Sequence, residues 1–467
     1  MRKEKKQIIL ESLTITDTTS DGRSVARLDG KVIFVEKAVP GDVADVLLFK
    51  NKKSFAEGKA INIVIPSDKR ADAFCSHFGV CGGCKWQSMD YTWQLHFKQK
   101  QVEDALQRIG GLELPEISPI KASEKTTYYR NKLEYTFSNK RWLTQAEIGS
   151  VTEHENALGF HIPQRFDKIL DIKQCFLQPD PSDAIRLAVK EHAEAHKLEY
   201  FDLISQQGFL RNLMIRTSSS GQLMVVVVFF RENKEQREAL LEVLDNKFPQ
   251  ITSLQYVINE KKNDTLFDQN CILYKGSDHI IEEMEGLNFK VGAKTFFQTN
   301  STQALELYRL TRNFAELKGH ELVYDLYTGT GTIACFVASK AKHVIGIDYI
   351  PESIENAKEN AIANKIENCS FFAGDMGKTL TSEFIQEHGR ADVVITDPPR
   401  SGMNPDVVAR LIEMRPEKIV YVSCNPATQA RDLALLAEHY TIEKVQPVDM
   451  FPHTHHVENI VLLRVKS

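Results

Sequence analysis

Two residues near the end of the sequence have types and settings that suit catalysis. Cys424 follows the apolar stretch IVYVS and precedes Asn-Pro, which favours an exposed turn over a core position. A thiol in such a place can act as a nucleophile, although a lone cysteine is more often an inert core residue. Glu458 stands at the start of the apolar run NIVLL, a costly place for an acid that is neither used nor paired. The pair suggests covalent catalysis with a general base.

A glycine-rich turn supplies a candidate ligand site. The stretch DLYTGTGT, Asp325–Thr332, follows an apolar strand, and its two glycines allow a tight turn and close approach of a ligand. Asp348 ends the next strand, where a carboxylate can accept both hydroxyls of a ribose, and Asp375 ends a third strand. The third glycine of a dinucleotide fingerprint is absent. The pattern therefore predicts an adenosyl ligand, with an empty strand-to-helix turn as the alternative.

A third motif, DPPRSG, begins at Asp397 at the end of another strand. Methyltransferases that act on amino groups usually carry an aromatic residue where this chain has Arg400, which weakens that interpretation. A thiol, a base and an adenosyl donor together fit methylation at C5 of uracil. Addition of a thiolate to C6 makes C5 nucleophilic, C5 takes the methyl group, and the base removes the C5 proton before the thiol leaves.

Three of the eight cysteines, Cys75, Cys81 and Cys84, lie within ten residues, and Cys175 is a plausible fourth member of the group. Four thiolates suit zinc or an iron–sulfur cluster, and the C-x5-C-x2-C spacing leaves both open. A cluster for radical chemistry is disfavoured, because it would call for C-x3-C-x2-C. The histidines that precede Glu458 are interpreted as hydrogen-bonding loop residues rather than as metal ligands.

The elements that must position these residues fall into three regions. Residues 286–467 alternate strand and helix, which predicts a doubly wound, Rossmann-like α/β domain. Residues 1–66 hold short strands separated by glycine and proline turns, which predicts a small OB-type β-barrel. Residues 67–285, with the grouped cysteines and a helix from about 91 to 109, predict a mixed α+β central domain.

Composition narrows the class of protein. A chain of 467 residues predicts about two to four domains, and its longest apolar run, Leu223–Phe230, is far shorter than the roughly 20 residues that span a bilayer. No secretory signal is visible, so we expect a cytoplasmic protein without a membrane partner. The net charge of -5 does not decide for or against nucleic acid, because only the local surface meets phosphate.

Two long motifs carry a family resemblance. DPPRSG, sixteen further residues and IVYVSCNPAT resemble the first signature of the RNA uracil-5-methyltransferases, and VDMFPHTHHVE resembles the second. The resemblance implies that Cys424 is the nucleophile, that Glu458 is the base and that S-adenosylmethionine is the methyl donor. It also implies a cofactor and uracil site lined by Gln298, Tyr327, Thr332, Asp348, Asp375 and Asp397. The chain departs from the family in having Thr328 and Thr332 in the glycine turn and Asp348 where Glu is frequent.

The cysteine group resembles that of the rRNA-modifying, RumA-like branch of the family. That branch combines Cys-x5-Cys-Gly-Gly-Cys and a distant cysteine with a 4Fe-4S cluster and an N-terminal TRAM domain, whereas the tRNA-modifying branch typically lacks both. The resemblance implies 23S rRNA as the RNA partner, a TRAM domain over residues 1–66, no obligate protein partner and a cluster held by Cys75, Cys81, Cys84 and Cys175. The family-like YRNK, Tyr129–Lys132, is expected to contact RNA or brace the cysteine region. Three alternatives stay open: a tRNA uracil-5-methyltransferase, an amino-group RNA methyltransferase with structural zinc, and a non-catalytic RNA-binding assembly factor.

Overall fold

The N-terminal strands close into a barrel. The computed structural model of the protein describes residues 8–144, 147–148 and 156–467. The barrel order is β1-β2-β3-β5-β4, with β1 paired to both β2 and β4. Its strands are β1 Ile8–Thr18, β2 Ser24–Leu28, β3 Lys31–Glu36, β4 Val43–Asn51 and β5 Phe55–Ile65. Small and β-branched residues such as Ala26, Ile33 and Val46 fill the interior, as a narrow barrel requires. The predicted barrel is confirmed.

A helix follows the cysteine-bearing loop. Helix α1 spans Tyr91–Asp104 and continues as a π-helical turn, Ala105–Ile109. Asp90 caps its start by accepting from the backbone N–H of Thr92 at 2.9 Å. Gly110 and Gly111 follow, so the helix expected between about 91 and 109 is present.

The central region is built on a seven-stranded mixed sheet of order β12-β11-β10-β9-β6-β7-β8. All residues of β10 are buried because both faces of the sheet are covered there. Its strands are β6 Lys132–Ser138, β7 Ala157–Ile162, β8 Arg165–Asp171, β9 Leu210–Thr217, β10 Leu223–Phe229, β11 Ser253–Ile258 and β12 Ile272–Gly276. Helices α2, Ser182–Ala195, and α3, Lys234–Lys247, complete the region.

A hairpin of β13, His279–Met284, and β14, Leu287–Gly292, joins the central region to the C-terminal one. The boundary predicted between residues 285 and 286 falls in its turn. One hydrophobic core contains Val226 of β10 and Phe289 of β14, so apolar packing is continuous across this point. The three domain ranges therefore stay predictions.

The C-terminal region holds a second seven-stranded sheet, of order β17-β16-β15-β18-β19-β21-β20. Strands β15 to β19 are parallel, whereas β21 runs antiparallel to both β19 and β20. The strands are β15 Leu322–Leu326, β16 His343–Asp348, β17 Cys369–Ala373, β18 Val393–Thr396, β19 Lys418–Ser423, β20 Tyr440–Val448 and β21 Glu458–Val465. This is the predicted doubly wound arrangement.

Seven helices accompany this sheet: α4 Ser301–Ala315, α5 Thr332–Ala338, α6 Pro351–Ala363, α7 Met376–Thr379, α8 Ser382–His388, α9 Pro405–Met414 and α10 Pro426–Leu436. Strand order reverses between β15 and β18, and ligands of such sheets bind outside the carboxyl ends of the strands at that point. Within the described part of the chain, no helix combines the length and apolar character that crossing a bilayer requires.

Candidate active site

The pairing of β19 with β21 brings the two chemically suggestive residues to one edge of the sheet. Ser423 is the register partner of Asn459, so Cys424 leaves β19 where Glu458 enters β21. Asn425 caps α10 by accepting from the backbone N–H of Ala427 at 3.2 Å, which fixes the turn that carries the thiol. The Asn425 side chain also donates to the carbonyl of Arg400 at 2.9 Å. The turn that carries Cys424 is thereby tied to the DPPRSG loop.

Acidic groups dominate the electrostatics at this edge. Glu458 is 5% exposed, and burial raises the pKa of its carboxyl to about 8, with the charge of Asp397 adding and that of Arg400 opposing. Burial likewise raises the pKa of Asp397 to about 7. Both acids therefore exchange protons near neutral pH, which suits proton transfer.

The same acidic groups act on the Cys424 thiol. Burial raises the pKa of the Cys424 thiol to about 12, and the charges of Glu458 and Asp397 raise it further while Arg400 lowers it. The four side chains therefore influence one another's ionisation at this edge of the sheet. The free protein therefore holds a protonated thiol at neutral pH, and Arg400 is the cation that favours its ionisation.

The glycine turn forms a fixed cradle at the end of β15. The fully buried carboxylate of Asp325 accepts from the Thr328 hydroxyl at 2.5 Å and from the backbone N–H of Ala334 at 3.0 Å, while its Oδ1 has no partner among the described residues. Gly329 has a φ of 54° and open space where a side chain would stand. At Gly331, with a φ of 74°, a Cβ would lie 2.9 Å from that of Ala357. An unsatisfied buried acceptor beside open backbone fits a bound polar ligand.

Asp348 is oriented by the same turn. Its two carboxylate oxygens accept from the backbone N–H groups of Gly329 at 3.0 Å and Ile350 at 2.9 Å. Each oxygen keeps a further lone pair, which a ribose hydroxyl can use. Asp375 is exposed at the start of α7 and caps it by accepting from Gly377 at 3.0 Å. The arrangement can hold an adenosyl group, and two hydrogen bonds from the backbone orient the carboxylate of Asp348 within it.

For the other predicted cofactor residues, the structure gives less direct evidence of a contact with a ligand. Tyr327 is half-buried with a φ of 62°, and burial raises its pKa to about 12. The hydroxyls of Thr332 and Thr330 lie 3.2 Å apart, so the Thr332 hydroxyl has a partner within the turn. Gln298 lies just before α4, where its backbone carbonyl accepts from the side chain of Asn131 at 2.9 Å. Their roles toward a cofactor or uracil stay predictions.

The four predicted metal ligands surround a single cavity of about 610 Å³. Cys75, Cys81 and Cys84 reach it from the loop before α1, and Cys175 from the segment after β8. Burial raises the pKa of Cys81 to about 11 and that of Cys175 to about 12. Over the residues with described positions, no three or more His, Cys, Asp or Glu side chains converge closely enough to hold one metal ion. The observation that remains is that all four cysteines line the same cavity.

The structure adds residues that the sequence analysis did not single out. Lys98 of α1 and Asp449 form an ion pair of 2.5 Å in which neither side chain is exposed. Gln94, also buried, contacts His453 in the segment before Glu458. The sequence signal for Gln94 and Lys98 is the presence of polar side chains at helical spacing on the buried face of α1.

Known proteins resemble the chain over most of its length. The model of the tRNA (uracil-5-)-methyltransferase family matches residues 206–466, and that of the TRAM domain matches residues 11–61. Proteins of Bacteroides thetaiotaomicron and Porphyromonas gingivalis, each named an uncharacterized RNA methyltransferase, are both 56% identical to the chain. The matches cover 96% and 97% of this chain and 100% and 99% of those proteins.

A solved structure agrees with this assignment. The tRNA (uracil-54, C5)-methyltransferase of Pyrococcus abyssi, in complex with S-adenosyl-L-homocysteine, is 28% identical, with a TM-score of 0.74 and coverage of 96% of this chain and 99% of its own. Since the family model spans more than half of the chain and relatives match nearly all of it, the chain belongs to the tRNA (uracil-5-)-methyltransferase family and carries a TRAM domain.

Proposed function

We propose that the protein methylates C5 of a uridine in RNA, with Cys424 as nucleophile and Glu458 as general base. The observation that carries the proposal is the meeting of these two residues at one sheet edge, through the Ser423–Asn459 register. The glycine cradle opens at the same edge, at the end of β15. Family membership and the S-adenosyl-L-homocysteine complex of the Pyrococcus relative support S-adenosylmethionine as the donor.

The proposed reaction has three steps: addition of the thiolate, methyl transfer, and proton removal with release of the thiolate. The thiolate of Cys424 adds to C6, and the C5–C6 electron pair becomes an enolate that is nucleophilic at C5. S-adenosylmethionine supplies the methyl group that C5 receives. Glu458 then takes the C5 proton, the C–H electron pair restores the C5–C6 double bond, and the thiolate of Cys424 leaves.

Residues of the chain adjust the protonation states that these steps need. The thiol must lose its proton to attack, and Arg400 is the neighbour whose charge lowers its pKa. Glu458 must be ionised to accept the C5 proton, and its pKa of about 8 keeps an ionised fraction available near neutral pH. A base with a pKa near the working pH combines availability with proton affinity.

The specific substrate proposed is a uridine of 23S rRNA. Support comes from the TRAM domain and from the four cysteines around one cavity, a combination typical of the rRNA-modifying branch. A tRNA substrate is the second candidate, because the Pyrococcus relative that matches 96% of the chain is named a tRNA methyltransferase. Such enzymes act on bases that leave their stack, so an unpaired loop uridine is expected in either RNA.

We also propose that Cys75, Cys81, Cys84 and Cys175 hold a 4Fe-4S cluster. The donor set fits, since four thiols face one cavity and a cluster needs its ligands distributed around several iron atoms. A structural zinc ion would require the four sulfurs to converge on one centre. Bound there, the cluster would tie the loop before α1 to the segment after β8.

Mapping of 5-methyluridine tests the substrate proposal. Ribosomal RNA and tRNA from cells with and without the gene are digested and analysed for methylated nucleosides. Loss of one 5-methyluridine from 23S rRNA is the expected result. Loss from tRNA would establish the second candidate, and loss of an N-methylated base instead would contradict the proposed chemistry.

A further inference from the structure

The segment Asp449–Val457, called here the base loop, connects β20 to Glu458 at the start of β21. Its backbone carbonyls are held one after another by residues outside the loop. The Met450 carbonyl accepts from the side chain of Asn300 at 2.9 Å, and the Pro452 carbonyl from the Tyr129 hydroxyl at 2.9 Å. Because successive carbonyls of the base loop are hydrogen-bonded, the loop has a defined conformation up to Glu458.

Asp449 anchors the first end of the base loop. Its Oδ1 accepts from Lys98 Nζ at 2.5 Å, and its Oδ2 accepts from the Tyr91 hydroxyl at 2.8 Å. Lys98 Nζ also donates to the carbonyl of Phe451 at 3.0 Å. Asp449 in turn accepts from the backbone N–H of Phe451 at 3.1 Å. One ammonium and one carboxylate thus fix the first and third residues of the base loop.

The same face of α1 holds the middle of the base loop. Tyr91, Gln94 and Lys98 are three, four and seven residues apart, a spacing that places them on one helix face. Gln94 Oε1 accepts from the backbone N–H of His453 at 2.8 Å, and Gln94 Nε2 lies 3.2 Å from His453 Nδ1. Burial lowers the pKa of His453 to about 4, so this ring is neutral at physiological pH.

The C-terminal end of the same helical segment packs against α10, the helix that follows Cys424. Leu106, in the π-helical turn that continues α1, shares a hydrophobic core with Ala430 and Leu433 of α10. Helix α10 begins at Pro426, two residues after Cys424. One continuous helical segment therefore packs against both α10, which begins two residues after the thiol, and the loop that leads to the carboxylate.

Stability alone does not account for a pair of this kind. Removing two charges from water costs several kcal/mol per ion, and apolar replacements of buried pairs are often neutral or stabilising. What the charged pair supplies here is geometry, because it links a helix to a loop 351 residues away in sequence.

We infer that Lys98 and Asp449 are positioning residues for the general base, which hold the base loop so that Glu458 reaches the C5 proton of the substrate. The inference rests on the proposed function of Glu458. It predicts a specific kinetic consequence. Addition of Cys424 and methyl transfer do not use the Glu458 carboxylate, whereas proton removal and release of the thiol do, so a displaced loop should slow the last step most.

The test measures covalent protein–RNA adduct and turnover in Asp449→Asn, with Tyr91→Phe as a milder variant that leaves the ion pair in place. We expect Asp449→Asn to lose turnover by about 10²-fold, as displacements of about 1 Å do, and to accumulate methylated adduct. Tyr91→Phe should show a smaller change in the same direction. A folded Asp449→Asn variant with wild-type turnover and no adduct would overturn the inference.

The double variant Lys98→Met/Asp449→Leu separates positioning from stability. It replaces the charges with apolar groups, so its melting temperature should recover relative to Asp449→Asn while adduct still accumulates. Recovery of turnover together with stability would show a merely structural role and would contradict the inference.

Glu458→Gln, measured in parallel, keeps the two proposals apart. If Glu458→Gln fails to accumulate adduct, the assignment of the base fails and the positioning role fails with it. If Glu458→Gln accumulates adduct and neither Asp449→Asn nor the double variant does, the positioning role alone is wrong.

Discussion

Ser423 and Asn459 are register partners in the antiparallel ladder between β19 and β21. Because the strands run in opposite directions, the residue after Ser423 and the residue before Asn459 are neighbours at the same edge, and these are Cys424 and Glu458. Asn459 is further fixed by Gln429 of α10, whose side chain donates to its carbonyl at 3.2 Å. Backbone pairing thus brings the nucleophile and the base to the same edge of the sheet.

Cys424→Ala should abolish methylation and adduct formation while S-adenosylmethionine still binds, because the thiol forms the bond to C6 and the cradle of β15 does not use it. Turnover with substrate RNA and calorimetric cofactor binding are the measurements. Cys271→Ala is the matched control, since this half-buried cysteine lies outside the site. Normal methylation by Cys424→Ala would remove the nucleophile assignment.

Glu458→Gln should form the methylated adduct and then stall, because an amide cannot take the C5 proton. Denaturing gels with labelled RNA should show a protein–RNA band that persists, whereas the wild-type protein should show little. A Glu458→Gln variant that completes turnover at the wild-type rate would exclude this residue as the base.

The sequence predicts local elements well and contacts between distant residues poorly. The helix near 91–109 and the final strand from Glu458 are visible because their apolar periodicity and flanking turns are local. The sequence does not predict strand β20, Tyr440–Val448, because this edge strand carries charged residues and a proline. The Lys98–Asp449 pair could not be anticipated, because no local pattern specifies a partner in another part of the chain.

The pH dependence of turnover should follow the Glu458 carboxyl. Because burial raises its pKa to about 8, and because the carboxylate acts after methyl transfer, kcat should rise with pH between about 6 and 9, as expected for a group that acts in its ionised form. The sign is diagnostic, since an acid required in its protonated form would give activity that falls over this range. A pH–rate profile measured with saturating cofactor checks it.

Stability should change with pH in the opposite sense. The folded-state pKa values of Glu458, Asp397 and Asp325 all lie above their ordinary values, so the native state binds protons that the unfolded state releases. Their stabilising contribution to the free energy of unfolding is complete below about pH 4 and is lost as pH rises through about 7 to 8. Glu458→Gln should therefore exceed the wild-type protein in free energy of unfolding near pH 8.5, by on the order of 1–3 kcal/mol, and match it near pH 5. Denaturant titrations at the two pH values measure this difference, and an equal gain at both would contradict it.

Asp348→Asn should weaken cofactor binding by about 10- to 100-fold, because hydrogen bonds to a charged acceptor contribute about 1.5–3 kcal/mol. The substitution also places an amide donor against one of the backbone N–H groups of Gly329 and Ile350. Asp375→Asn is the comparison, and its smaller expected effect follows from the exposure of that side chain. Equal cofactor affinity in wild-type and Asp348→Asn proteins would exclude the ribose role.

Cys81→Ser should remove the bound cluster, since Cys81 is one of the four thiols facing the central cavity. Protein purified without oxygen is expected to contain iron and acid-labile sulfide, and the variant should lose both together with thermal stability.

Activity of the Cys81→Ser variant should fall as well, because Lys85 and Trp86, just after Cys84, donate their backbone N–H groups to the carbonyl of His453 in the base loop, at 2.9 and 3.0 Å. Cys271→Ala again serves as control and should retain iron. Stoichiometric zinc without sulfide would replace the cluster with a zinc site, and a metal-free wild-type protein of full activity would contradict any metal role for these cysteines.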